Sequence, residues 1–208
     1  MKIVSCYSED FKHMADNLAK SKYEVILNKL DDLPDNKRFI KQCHYKLDFV
    51  RQALDECSED VAWVDADCLI VKDLGDPLGD CDVAVTLRRP APKDAYFKYS
   101  GLLNAGVIFF KNNQRAREFI NRWEYELPNG EHKTDQEALN LSCQIDTNTK
   151  VNDTIKIDDI KIKILSCDEY NFIYMPEEND ARIIHFKGDT RIHYDTYLKT
   201  YAVLRHNK

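Results

Sequence analysis

The sequence predicts an α/β fold with a mixed, mostly parallel central sheet flanked by helices. Three observations predict it. Short apolar runs of strand length alternate with longer segments in which apolar residues recur every three or four positions, the pattern of strands alternating with helices. The chain has 208 residues, 43% of them hydrophobic and 32% charged, enough to bury one core without disulfide or metal staples. No repeat, low-complexity tract or linker divides it, so one domain spanning 1–208 is expected, which could itself be part of a longer chain.

The elements follow in order. "KIVSCY" is a short apolar run suited to a buried strand. "SEDFKHMADNLAKS" follows, with Ser8 as a candidate N-cap and Phe11, Met14, Ala15 and Leu18 at helical spacing. "YEVILNKL" is a second strand. From 37 to 57, Ile40, Cys43, Leu47, Val50 and Leu54 mark a long amphipathic helix. "VAWVDAD" is a third strand, and "CDVAVTL" and "NAGVIFFKN" are further ones. Helices are expected around 115–127 and 134–142. "IKIDDIKIKIL" alternates like one strand with a wet face, "ARIIHFKG" is a last strand, and 194–204 a terminal helix.

Composition excludes some functions. The net charge of -6 argues against a nucleic-acid binder, which usually carries a basic face. An anionic substrate would need a local cationic site. The seven cysteines, Cys6, Cys43, Cys57, Cys68, Cys81, Cys143 and Cys167, are odd in number and include no CxxC pair, which points to reduced thiols. The strand-like stretch at residue 2 leaves no room for a signal peptide, and no apolar run approaches a membrane span. A soluble, cytoplasmic protein is expected.

Within "VAWVDADCLIV", Asp65 and Asp67 interrupt an apolar run at the carboxyl end of the third strand, where ligands of α/β sheets bind. Three readings compete. The pair could cap a turn or form surface ion pairs. It could be the nucleophile and proton-handling pair of a haloacid-dehalogenase-like phosphatase, but two strand–helix units precede it, and Asp158-Asp159 is a poor match for that family's strand-end metal pair. Or it could hold Mg²⁺ or Mn²⁺ that bridges an acidic protein to a diphosphate.

The segment "WVDADCLIVKDL" resembles the DxD segment of GT-A (Rossmann-like) glycosyltransferases. "LNAGVIFFKNN" is similar to the N-(S/A)-G-V strand of the glycogenin-like glycosyltransferase family 8, "TDQEALN" to its D-Q-x-x-L-N helix start, and "IIHFKG" to its H-F-x-G segment. Where that pattern continues with Lys-Pro-Trp, this chain has "DTRIHY". The resemblance covers most of the chain. It implies a metal-dependent enzyme that moves a hexose-type sugar from a UDP-sugar to a hydroxyl of a glycan or other acceptor, with retention favoured and inversion open. A non-catalytic nucleotide-sugar-binding module is the other alternative.

The resemblance also assigns roles. Asp67 would ligate Mn²⁺ (or Mg²⁺) with His185, and Asp65 would face the ribose or the metal. Cys6, Tyr7, Ser8 and Ala66 would hold the nucleoside, Lys46 would reach the DxD and the donor, and Lys187 and Gly188 would meet phosphate. Asn104 would bind the donor sugar, with Asp135 and Gln136 around the transferred sugar as catalytic candidates. By residue type alone, Lys46 is a solvated helix lysine, Asp135 a helix cap and Tyr7 a packing residue. The stretch 88–102, with Arg88, Arg89, Tyr96, Phe97 and Tyr99, is long enough for a lid or acceptor loop.

Overall fold

The central strands are those whose residues are apolar on both faces. β3 (Val61–Val64) and β6 (Leu103–Phe110) are buried at every position and pair antiparallel, Val61 opposite Phe110 and Trp63 opposite Ile108. The computed structural model describes the backbone of residues 1–30, 38–88, 101–127, 134–173 and 180–206, and the side chains of all of these except 38–44 and 201–206. Positions 89–100, and so most of the expected lid, lie outside the described residues.

Around that pair are β1 (Lys2–Tyr7), β2 (Val25–Lys29), β5 (Val83–Leu87), β7 (Thr154–Ile157) and β8 (Ile160–Ser166), giving the order β2-β1-β3-β6-β5-β8-β7. β1 runs parallel to β2 and β3, and β5 parallel to β8, while β6 and β7 run against their neighbours. The sheet is therefore mixed with most strands pointing one way, as expected.

Side-chain alternation divides the core between the two faces. Trp63, Ile108 and Phe110 face α2 (Arg38–Glu56), α3 (Gln114–Glu126) and α4 (Asp135–Cys143), packing with Leu47, Val50, Phe119, Trp123 and Leu139. Ala62, Val64, Val107 and Phe109 face the other way, toward Leu18 of α1 (Lys12–Leu18) and Tyr170 of α5 (Cys167–Tyr170). Burying an apolar side chain is worth roughly 1.5–3 kcal/mol, so β3 and β6, covered on both faces, anchor the fold.

Two sequence expectations change. "IKIDDIKIKIL" is a hairpin: β7 and β8 pair antiparallel with Ile157 opposite Ile160, and Asp158 turns the chain at φ +53°. Alternation is the same on both sides of the turn, which is why it reads as one strand. Ser8 precedes a 3-10 turn (Glu9–Phe11) without a side-chain cap bond, although its carbonyl accepts from Phe11 N–H at 2.9 Å.

A second, small sheet was not foreseen. β4 (Cys68–Ile70) pairs antiparallel with β10 (Ile183–His185), which pairs parallel with β9 (Phe172–Ile173). Its apolar side packs Leu69, Ile184 and Phe186 against Met14 and against Tyr194, at the start of α6 (Tyr194–His206). No helix among the described residues is long and apolar enough to cross a membrane.

α4 is fixed to the entry of β6 by one side chain. Asn140 Oδ1 accepts from the N–H groups of Leu102 (2.8 Å) and Leu103 (3.0 Å), and its Nδ2 donates to Gln136 O at 2.7 Å. Gly101, at φ +76°, makes room: a Cβ there would lie 2.4 Å from Asn140 Cγ. Asn140→Ala should orphan two backbone donors and cost about 1–3 kcal/mol, measured as a lowered midpoint in urea unfolding.

Candidate functional site

The chain leaves β3 at Asp65 and turns at once into β4. Asp65 N–H donates to Gly106 O at 2.8 Å, and its carbonyl accepts from Cys68 N–H at 3.0 Å. In the small sheet, His185 stands opposite Cys68, and Phe186 N–H donates to Asp67 O at 2.9 Å. That register, rather than two neighbouring strand ends of the large sheet, brings His185 to Asp67. His185 Nε2 lies 3.1 Å from Asp67 Oδ1 and 3.9 Å from Asp65 Oδ2. The other oxygen of Asp67 accepts from Arg191 Nε (2.8 Å) and Nη2 (2.7 Å), and the Arg191 guanidinium lies over the Phe11 ring.

Burial alone would push the Asp67 carboxyl up. The facing His185 imidazole and the Arg191 guanidinium outweigh it and hold the group at about 2, against an ordinary 3.8.

Asp65 is oriented from the opposite side. Its Oδ1 accepts from the Trp63 indole N–H at 2.7 Å and lies 3.4 Å from Lys46 Nζ. Lys46 is buried; its ammonium donates to Asp135 Oδ2 at 2.5 Å and to Ala105 O at 3.0 Å, and lies over the Trp63 ring. A buried cation needs such partners. Lys46 thus reaches Asp65 of the DxD, as expected for it, and also positions Asp65 and Asp135 relative to each other.

Asp135 opens α4 behind a capping box. Thr134 Oγ1 accepts from Glu137 N–H (3.1 Å) while Thr134 N–H donates to Glu137 Oε2 (2.7 Å). Asp135 therefore is not the cap; its Oδ1 accepts from Gln136 N–H at 2.9 Å, and Gln136 Oε1 accepts from Arg88.

These groups line a cleft of about 340 Å³. Cys6, Tyr7 and Ser8 form one wall, at the carboxyl end of β1. Asp65, Ala66, Asp67, His185, Lys187 and Arg191 form its base, and Asn104, Asp135 and Gln136 lie on the side of β6 and α4. The expected residues are thus brought together, with one exception: Gly188 is not among the lining residues. It sits at φ +60°, where an added Cβ would meet nothing within 4 Å, so its backbone turn is what calls for glycine there.

Sequence reasoning missed Arg191, which lies in "DTRIHY", and the part played by Gly106. An added Cβ at Gly106 would lie 2.5 Å from His185 Cε1, 2.7 Å from its Nδ1 and 3.2 Å from Asp65 Oδ2. A glycine inside a fully apolar strand is a signal of close approach.

The donor set fits a hard divalent cation. Asp67, His185 and Cys68 are the group of ligand-type side chains that converge within 4.8 Å among the described residues. Cys68 is the weakest of them: burial pushes its thiol up, and it packs in the apolar cluster of Ile183 and Leu74. Carboxylate oxygens from Asp67 and Asp65 and the His185 imidazole suit Mn²⁺ or Mg²⁺ better than a protonated thiol does.

Structural comparison gives the class. The fold matches a glycosyltransferase involved in glycosylation of the major capsid of PBCV-1, with a TM-score of 0.58 at 15% identity over 94% of this chain and 98% of that one. It also matches the glycosyltransferase GlyE of Streptococcus pneumoniae TIGR4 (0.55, 16% identity) and the bifunctional WbbM (0.56, 13%). This chain is covered to 99% and 97% in those matches, which span 63% of GlyE and 49% of WbbM. The architecture is therefore that of the GT-A glycosyltransferases. The family model for nucleotide-diphospho-sugar transferases matches residues 12–194, and the chain belongs to that family. No curated protein matches it by sequence.

Gly106→Ala should drive His185 away from Asp65 and cost about 1–3 kcal/mol by overpacking, seen in urea unfolding and in a displaced imidazole in a crystal structure. The second expectation concerns acid. The folded value of Asp67 lies below its ordinary one, so its stabilisation is full above about pH 4 and is lost as pH falls towards about 2. In metal-free protein, Asp67→Asn should be less stable than the parent at pH 7. Circular dichroism should show that gap narrowing over this window.

Proposed function

We propose that the protein transfers a hexose-type sugar from a UDP-sugar to an acceptor hydroxyl, with retention and with Mn²⁺ or Mg²⁺ as cofactor. The observation that carries the reading is the convergence of Asp67, Asp65, His185 and Arg191 at the base of the cleft that β1 and α4 wall. The site is built for a diphosphate with a cation beside it, in a chain of the nucleotide-diphospho-sugar transferase family.

In this reading Cys6, Tyr7 and Ser8 hold the nucleoside, with Tyr7 against the base. Asp67, His185 and Asp65 hold the metal, which, when bound, supplies Lewis-acid stabilisation of the leaving diphosphate. Arg191 and Lys187 add positive charge for the phosphate oxygens. Asn104, whose buried Nδ2 has no partner among the described residues, donates to the sugar, and Asp135 and Gln136 border it.

Retention has its own support. Among the described residues, the three carboxylates that line the cleft are each ion-paired: Asp65 and Asp135 with Lys46, Asp67 with Arg191. An inverting enzyme needs a free carboxylate base beside the acceptor. Here the bond from the anomeric carbon to the diphosphate breaks, and the acceptor oxygen bonds to that carbon on the same face. The acceptor proton passes to the departing diphosphate oxygen, so no side chain need take it.

A phosphatase fits poorly. Asp65 is held by the Trp63 indole and Lys46, and Asp158-Asp159 lies in the β7–β8 turn. The six described cysteines are free thiols, which suits the reducing cytoplasm. We take 1–208 as one catalytic domain.

The test is UDP release from a panel of UDP-sugars with Mn²⁺, with Mg²⁺ and with EDTA. Release should require the ion, and Asp67→Asn should lower turnover by about 10²-fold or more, as loss of several kcal/mol implies. Equal UDP affinity in calorimetry with and without EDTA would remove the metal. Tight UDP binding with no turnover would leave a binding module, and phosphate release from simple phosphoesters would restore the phosphatase.

A further inference from the structure

Behind His185 runs a buried polar chain that the proposed reaction does not use. His185 Nδ1 lies 2.9 Å from Asn171 Oδ1, Asn171 Nδ2 donates to Thr86 Oγ1 at 3.0 Å, and Thr86 Oγ1 donates to Asn104 O at 3.0 Å. Thr86, Asn104 and Asn171 are fully buried and His185 is 1% exposed. Asn171 is the residue that ends α5, and its backbone N–H is spent on Cys167 O.

The chain has one consistent direction. A backbone carbonyl can only accept, so the Thr86 hydroxyl gives its single proton to Asn104 O. Its remaining lone pairs then face Asn171, which must present its NH₂ there. The other end of the amide, Oδ1, is left toward His185 and can only accept. Nδ1 therefore carries a proton, and Nε2, which faces Asp67 Oδ1 and Asp65 Oδ2, is the nitrogen left for an ion. Buried ligating histidines gain orientation from such an outer hydrogen bond.

We propose that Asn171, set by Thr86, is a positioning residue that fixes the tautomer and plane of His185 so that Nε2 serves as the metal-binding atom. The inference rests on the metal reading of the site. It adds that the ligand's orientation originates in β5, through a side chain of the small sheet's edge, and that neither Asn171 nor Thr86 touches donor or ion. Gly106 bounds the imidazole on its other side, so the ring is confined by an amide and a bare backbone.

Two measurements test it. The first is the ¹H–¹⁵N spectrum of histidine-labelled, metal-free protein, with His185→Ala used to assign the resonance. The parent should show a hydrogen-bonded Nδ1–H protected from solvent exchange, and Asn171→Leu should lose that protection. Thr86→Val, which keeps the shape of its side chain, should show the same loss more weakly and covers the case in which the leucine variant does not fold. The second is Mn²⁺ affinity in the presence of UDP, by the electron paramagnetic resonance of the free ion. Asn171→Leu should weaken it by about 10–100-fold. A protected Nδ1–H in both folded variants, or its absence in the parent, would overturn the inference. Parental protein that binds no Mn²⁺ while the spectra behave as expected would instead reject the metal and keep the positioning chain.

Discussion

The fold must hold His185 and Asp67 3.1 Å apart, both almost fully removed from water, although they come from distant parts of the chain. Most of the smaller features exist to satisfy that one constraint. β4 and β10 supply the register, and the Phe186–Asp67 backbone bond closes it. Gly106 gives up its side chain so that the imidazole can lie against β6. Phe186 and Tyr194 pack edge to face beneath, which seals the small sheet against α1.

A concentration of negative charge at one point of an acidic chain needs local compensation. Isolated buried charges cost several kcal/mol each, and here each is matched. Lys46 sits between Asp65 and Asp135, and Arg191 closes on Asp67. Asp65 and Asp67 thus take their cations from two different helical elements, α2 before the DxD turn and the 3-10 helix Gly188–His193 after β10. The turn is clamped between them, and its carboxylates keep fixed directions.

Much of this was legible in the sequence, for physical reasons that differ by element. β3 and β6 announced themselves because burial on both faces leaves an unbroken apolar run. Asp65, Asp67 and His185 were legible because a carboxylate or imidazole at the end of such a run gains little from packing and stands where a sheet meets its ligands. The small sheet was not legible as a sheet: "ARIIHFKG" reads as a strand, but its partners β4 and β9, of three and two residues, leave no periodicity to read. The β7–β8 turn was easy to read over because only the Asp158-Asp159 doublet, which shifts the beat by one residue, separates two runs that alternate alike. Arg191 and Asn171 escaped because their roles depend on which side chains the fold brings opposite them. A single sequence carries no record of that. Gly106 was visible as an anomaly in an apolar strand, but its meaning needed the imidazole beside it.

The late position of β10 and of Arg191 in the chain bears on how the protein is born. Domains tend to fold from the amino terminus during synthesis. A ribosome that has released the chain through β8 has already exposed every strand of the large sheet, and with it the Asp65–Asp67 turn. At that stage Asp67 has neither His185 nor Arg191, and β4 has an unpaired edge. The nascent molecule would thus hold its cleft half built, with Asp65 and Asp67 in place and their partners still to come. The segment that carries β10 and Arg191 completes it.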